Sequence, residues 1–150
     1  MSLAASRGLL LRETLISMAV NMAISAGFFL GMFGLRGMAS SRLLAFDCLP
    51  QSFMVGLMSA LVPPLMLRRR LVRASDPGRM FVIRRAIGIA LVMLLSVGGG
   101  LLALAYAAAP VLIPGGLALG AKVSLGGLIA AVVTPWAIVR ALPLKHKSAV

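Results

Sequence analysis

Few side chains in this chain could do chemistry. The carboxylates are Glu13, Asp47 and Asp76, the one histidine is His146 and the one cysteine is Cys48. Each acid falls at the end of an apolar run or between runs, and His146 lies in the C-terminal tail. A proton-coupled carrier needs an acid or histidine deep in the membrane to load and release its proton. A metal site needs clustered ligands, and a Ser–His–acid hydrolase would have to recruit His146 from the tail. No Walker-type phosphate loop is present. Enzymatic activity, a cofactor and a bound metal are therefore not expected. The most polar residue well inside an apolar run is Asn21, with Ser25 one turn later and Ser59 in the next run. A buried amide needs hydrogen-bond partners, and Ser17, Ser25 and Ser59 are the candidates. Asn21, Ser25 and Ser59 thus form a candidate intramembrane polar site. They act either as glue between helices or as one wall of a polar substrate site.

The elements that position these residues follow from composition. Of 150 residues 61% are hydrophobic and 12% charged, with a mean hydropathy of +1.05. A soluble domain is roughly 45–50% apolar and about 25% charged, so lipid is the expected solvent. Four runs approach the ~20 apolar residues a helix needs to cross a bilayer: Thr14 to Leu35, Pro50 to Leu67, Ala86 to Ala108 and Leu119 to Leu142. Pro50 suits a first helical position with Asp47 just upstream, and Gln51 and Ser52 are placed at the interface. Ser75-Asp76-Pro77-Gly78 is a turn sequence. Pro110, Pro114, Gly115 and Gly116 break the chain between the third and fourth runs. The first run is too long for a signal-peptide core and lacks a small-residue cleavage site, so no cleaved leader is expected.

The net charge is +12. The basic residues flank the apolar runs, which marks membrane topology rather than nucleic-acid binding. Twelve of the 15 Lys and Arg residues would share one side, against Arg36, Arg42 and Lys122 on the other. The excess places both termini in the cytoplasm. Arg68, Arg69, Arg70, Arg73, Arg84 and Arg85 then face anionic lipid head groups. Trp136 and Tyr106 fit aromatic belts at the two interfaces. Cys48 reads as a small apolar residue near a helix start.

The two halves align without a gap at an offset of 71 residues. Ile16, Ala19, Met22 and Ser25 fall on Ile87, Ala90, Met93 and Ser96, and Gly56, Ala60, Pro64 and Arg69 fall on Gly127, Ala131, Pro135 and Arg140. The fold expected is all-α: one four-helix membrane domain over residues 1–150, built from two parallel hairpin repeats, about 14–70 and about 85–142. Small residues let membrane helices approach closely. Gly27, Gly31, Gly56, Ala60, Gly98, Gly100, Gly127 and Ala131 therefore read as packing seams of the bundle or of a dimer, with a glycine-lined solute path as the other use. Pro63, Pro64 and Pro135 each delete a helical hydrogen bond and predict kinks.

The stretch Leu49-Pro50-Gln51-Ser52-Phe53-Met54, continuing to Leu61-Val62-Pro63-Pro64 and Arg68-Arg69-Arg70, resembles short permease-like bacterial inner-membrane proteins of unknown activity, as does the first helix with Asn21 and Phe28-Phe29. The resemblance implies an inner-membrane location and carries no catalytic residues. Small multidrug exporters share the helix number and length, but they use a glutamate inside the first helix that this chain lacks. The function expected is a structural or accessory membrane subunit, packed in a homo-oligomer or a larger complex. The alternative is a small permease or channel-like facilitator that works without an intramembrane proton-carrying acid.

Overall fold

The computed structural model describes residues 3–34, 38–71 and 79–141. Four stretches are long and apolar enough to cross a membrane: Gly8–Phe33, Ser41–Met66, Met80–Ala107 and Gly115–Arg140. The helices carrying them are α1 (Leu3–Phe33), α2 (Ser41–Leu71), α3 and α4 (Arg79–Met93 and Gly99–Ala107) and α5 (Gly115–Ala141). A π-helical turn, Leu94–Gly98, joins α3 to α4, so the third span is one rod with a widened turn. Only 17 to 39% of each span is buried within the chain. Phe28, Met32 and Leu95 project outward at 67, 67 and 74% exposure. Hydrocarbon or a partner must cover such a surface, because water would leave a contiguous apolar exterior of this size unsolvated.

Helix ends follow local chemistry. Gly34 closes α1 in a left-handed conformation, φ +66°, with its N–H donating to the Leu30 carbonyl, which glycine adopts without a Cβ penalty. The break before α5 lies at residues 108–114, and Gly115 and Gly116 already belong to its first turn. The helices run on through Pro63, Pro64 and Pro135. The Ser75–Gly78 turn, Arg36, Arg73 and the tail with His146 lie outside the described residues, as do the side chains of Arg68, Arg69 and Arg70.

The second helix corrects its expected start. It begins at Ser41, nine residues before Pro50, so that Asp47, Cys48, Pro50, Gln51 and Ser52 are all helical. Pro50 is tolerated mid-helix because it deletes a single backbone hydrogen bond. Ser52 is fully buried, not interfacial, and its hydroxyl lies 2.6 Å from the Cys48 carbonyl and 3.0 Å from that of Leu49.

A second departure from an all-helical chain is a two-stranded antiparallel ladder, β1 (Met38–Ser40) with β2 (Leu112–Pro114), in the register Met38↔Pro114, Ala39↔Ile113 and Ser40↔Leu112. The Ser41 N–H donates to the Val111 carbonyl at 2.9 Å, and the Val111 N–H to the Ser41 hydroxyl at 3.2 Å. The ladder ties the α1–α2 connection to the α4–α5 connection at one end of the bundle.

The first two helices are not each other's main partners, and neither are the last two spans. α1 packs along α5, the third span packs along α2, and α2 and α5 pack on each other at the centre, while α1 touches α2 only lightly. The core is built from small residues: Ala60 of α2, Ala86 of α3, and Ala130 and Ala137 of α5, with Val55, Ile89, Ile129 and Val133 between them. Such residues allow the close backbone approach on which helix association in lipid depends. A second cluster of Phe29, Ala39, Leu44 and Ala118 lies toward the ladder.

The glycine seams are uneven. A Cβ at Gly56 would lie 3.1 Å from Met93 Cβ, and one at Gly127 would lie 3.1 Å from Met22 Sδ. One at Gly98 would meet Ser52 Oγ at 2.6 Å. Ala60 is buried, whereas Ala131 is half-buried beside the fully buried Ala130. Gly100 is half-buried with nothing in reach of a Cβ. Gly27 and Gly31 face outward with the same open space, so within one chain they form no seam. Gly126, which the small-residue spacing missed, faces Ser25 Oγ at 2.6 Å from its own would-be Cβ.

Candidate functional site: a polar seam through the bundle

Ser17, Asn21, Ser25 and Phe29 follow one another every four residues on α1, and all are buried. That spacing puts them on one helix face, and the face turns toward α5 and α2. The seam divides into two layers.

The first layer joins three helices. The Asn21 amide Nδ2 donates to the Ser17 carbonyl at 2.8 Å and to Ser59 Oγ of α2 at 3.2 Å. The Thr134 hydroxyl of α5 donates to Ser17 Oγ at 2.9 Å, and Ser17 and Ser59 hydroxyls are 3.5 Å apart. Ser59 and Thr134 are fully buried. Asn21 and Ser59 are thus brought together, while Ser25 sits one turn away in the second layer. Thr134 was missed because a lone threonine in a long apolar run carries no sequence signal. Pro135 beside it was read for its backbone alone.

The second layer lies toward the ladder. Gln51 Nε2 donates to Ser25 Oγ at 2.9 Å and to the Lys122 carbonyl at 3.0 Å. Lys122 Nζ forms an ion pair with Asp47, and the two side chains are only 5 and 18% exposed. The stacked rings of Phe29 and Phe33 each lie 6.0 Å from the ammonium. This corrects the placement of both charges at helix ends. With a rise of ~1.5 Å per residue, Asp47 lies about 9 Å and Lys122 about 10 Å inside their helix starts. Were a ~30 Å hydrocarbon core centred on such a 26-residue span, the overhang would be only about 5 Å at each end, which would place the pair below the head groups. Two charges tolerate that depth because each neutralises the other and the rings shield them from lipid. Gln51 Oε1 and Arg42 Nε are buried with no protein partner among the described residues. Arg42 rests its guanidinium 5.0 Å from the Tyr106 ring.

Cys48 is buried beside Asp47 with a free thiol. Among the described residues no three His, Cys, Asp or Glu side chains cluster as metal ligands. A cavity of about 10 Å³ lies near the opposite end of the bundle from the ladder, lined by Ala60, Phe81, Val82, Arg85, Ile89 and Ala137 among others. It does not touch Asn21. The donors of the seam meet acceptors within the bundle: Asn21 on its own helix and on α2, Thr134 on α1, and Gln51 on α1 and α5. No family model, curated protein or solved structure matches the chain.

Proposed function

We propose that this chain is a multi-pass inner-membrane protein that serves as a structural or accessory subunit, without enzymatic activity, in a homo-oligomer or a larger membrane complex. The observation that carries this reading is the Asn21–Ser17–Ser59–Thr134 layer, whose polar groups bond to one another across three helices rather than to a solute path. An outer surface rich in exposed Phe, Leu, Met and Val supports a role in lateral contacts. The bacterial inner-membrane location rests on the resemblance of the first hairpin to permease-like proteins.

The bundle is proposed to descend from a duplicated hairpin. The Gly56–Met93 and Gly127–Met22 contacts are the same contact 71 residues apart, and Gln51 bonds its own offset equivalent, Lys122. A residue beside a pseudo-twofold axis meets its counterpart in that way. Both termini are proposed to be cytoplasmic. A cysteine introduced at Asp76, in a Cys48→Ala background, is expected to react only with membrane-permeant maleimides in intact cells. Labelling by an impermeant maleimide would invert the topology.

A facilitator for a small solute is the second reading, and the Asp47–Lys122 pair favours it, since charges held inside hydrocarbon mark ion and substrate paths. One variant separates the two. Under the accessory reading Asn21→Leu lowers stability by roughly 0.6–1.7 kcal/mol, and the wild-type chain extracted in mild detergent migrates as an oligomer or with a partner. A lone monomer that conducts solute into liposomes, with flux lost in Asn21→Leu, would establish the second reading instead.

A further inference from the structure

We propose that the end of the bundle opposite the ladder carries a binding site for an anionic phospholipid, formed by Arg85, Arg140 and Trp136. The site rests on the reading of the chain as membrane-spanning and deepens the expected contact of Arg85 with anionic head groups by joining it to Arg140, Trp136 and an apolar notch in one defined site. Arg85 and Arg140 place their guanidinium carbons 5.2 and 4.9 Å from the centroid of the one indole ring. Arg85 Nη1 also donates to the Arg140 carbonyl at 3.0 Å. That bond anchors Arg85 on the last turn of α5, where unsatisfied carbonyls favour a cation. Two like charges are thereby held around one ring, and among the described residues neither pairs with a carboxylate. Of the three acids in the chain, Asp47 is taken by Lys122 near the other end.

Beside this pair of cations is the apolar notch between α2, α3 and α5, lined by Ala60, Phe81, Val82, Ile89 and Ala137 and opening next to Arg85. At about 10 Å³ it is too small for a whole acyl chain, so the chain lies across its mouth against the exposed Phe81 ring. Guanidinium groups take a phosphodiester through charge-assisted, often paired, hydrogen bonds. Indole rings favour the head-group level of a bilayer. A phosphate above and an apolar groove below is the chemistry of a lipid, not of free phosphate, and a negative head group is what two arginines without a carboxylate partner among the described residues select.

Trp136 is the only tryptophan, so its fluorescence reports on the site directly. The full chain would be reconstituted in vesicles of phosphatidylcholine and phosphatidylglycerol, with the acyl chains of one or the other brominated. Brominated phosphatidylglycerol is expected to quench Trp136 well beyond its mole fraction. Each arginine contributes about fivefold to that preference, and Arg85→Gln with Arg140→Gln brings it near parity. Arg42→Gln, at the ladder end, leaves it unchanged. Equal quenching by the two lipids in the wild-type chain, which needs no variant to fold, would overturn the site. So would a preference that survives in the double variant, or one abolished by soluble glycerol phosphate at equal concentration. Quenching by neither lipid would remove the membrane reading itself, and the site with it.

Discussion

Replacing Lys122 with methionine is expected to destabilise the bundle by about 3–5 kcal/mol, the range for removing one member of a buried ion pair. Asp47, only 18% exposed, would lose the ion-pair partner it has among the described residues. Asp47→Leu is expected to cost a similar amount, because the ammonium is then the stranded charge. The double variant Asp47→Leu/Lys122→Met should recover most of the loss, since a well-packed apolar pair often matches or exceeds the ion pair it replaces. Unfolding in mixed micelles with increasing dodecyl sulfate, run as a double-mutant cycle, measures the coupling. Single variants that each lose less than about 1 kcal/mol, or a double variant as weak as the sum of the singles, would mean that the two charges do not depend on each other.

Gly98→Ala comes next in expected effect. The added methyl would lie 2.6 Å from Ser52 Oγ and 3.0 Å from the Leu49 backbone Cα, where α2 crosses the π-helical turn. The hydroxyl is held against the Cys48 and Leu49 carbonyls, and the Cα belongs to a helix, so neither moves aside freely. Overpacking of this kind costs about 1–3 kcal/mol, which outweighs the gain of up to about 1 kcal/mol in helix propensity. Adding Ser52→Ala removes one of the two clashes and should restore part of the stability. Gly27→Ala and Gly31→Ala are the matched controls. With nothing near the new methyl, each should be neutral or gain up to about 1 kcal/mol from helix propensity. The same unfolding assay reads all four. If Gly27→Ala proves as damaging as Gly98→Ala, the outward face of α1 is itself a helix-packing surface, as in a dimer.

The amino-acid sequence by itself determined the number of helices and one face of the first. Four apolar runs separated by Gly, Pro and Arg-rich breaks have no alternative in hydrocarbon, where each backbone polar group must be bonded within its own segment. Ser17, Asn21 and Ser25 recur every four residues, so their common face on α1 was legible from helical geometry. The true start of α2 was not, because a charge at Asp47 reads as a boundary when residues are weighed singly. Its place inside the helix depends on Lys122, 75 residues away, and an ion pair is a property of two positions at once. Thr134, Gln51 and Gly126 joined the seam for a similar reason: which face of α2 or α5 turns inward is set by how the helices rotate against their neighbours. The outward placement of Gly27 and Gly31 has the same origin. A small-residue spacing says that two helices can approach closely, and only the assembled bundle decides which of several such faces is used.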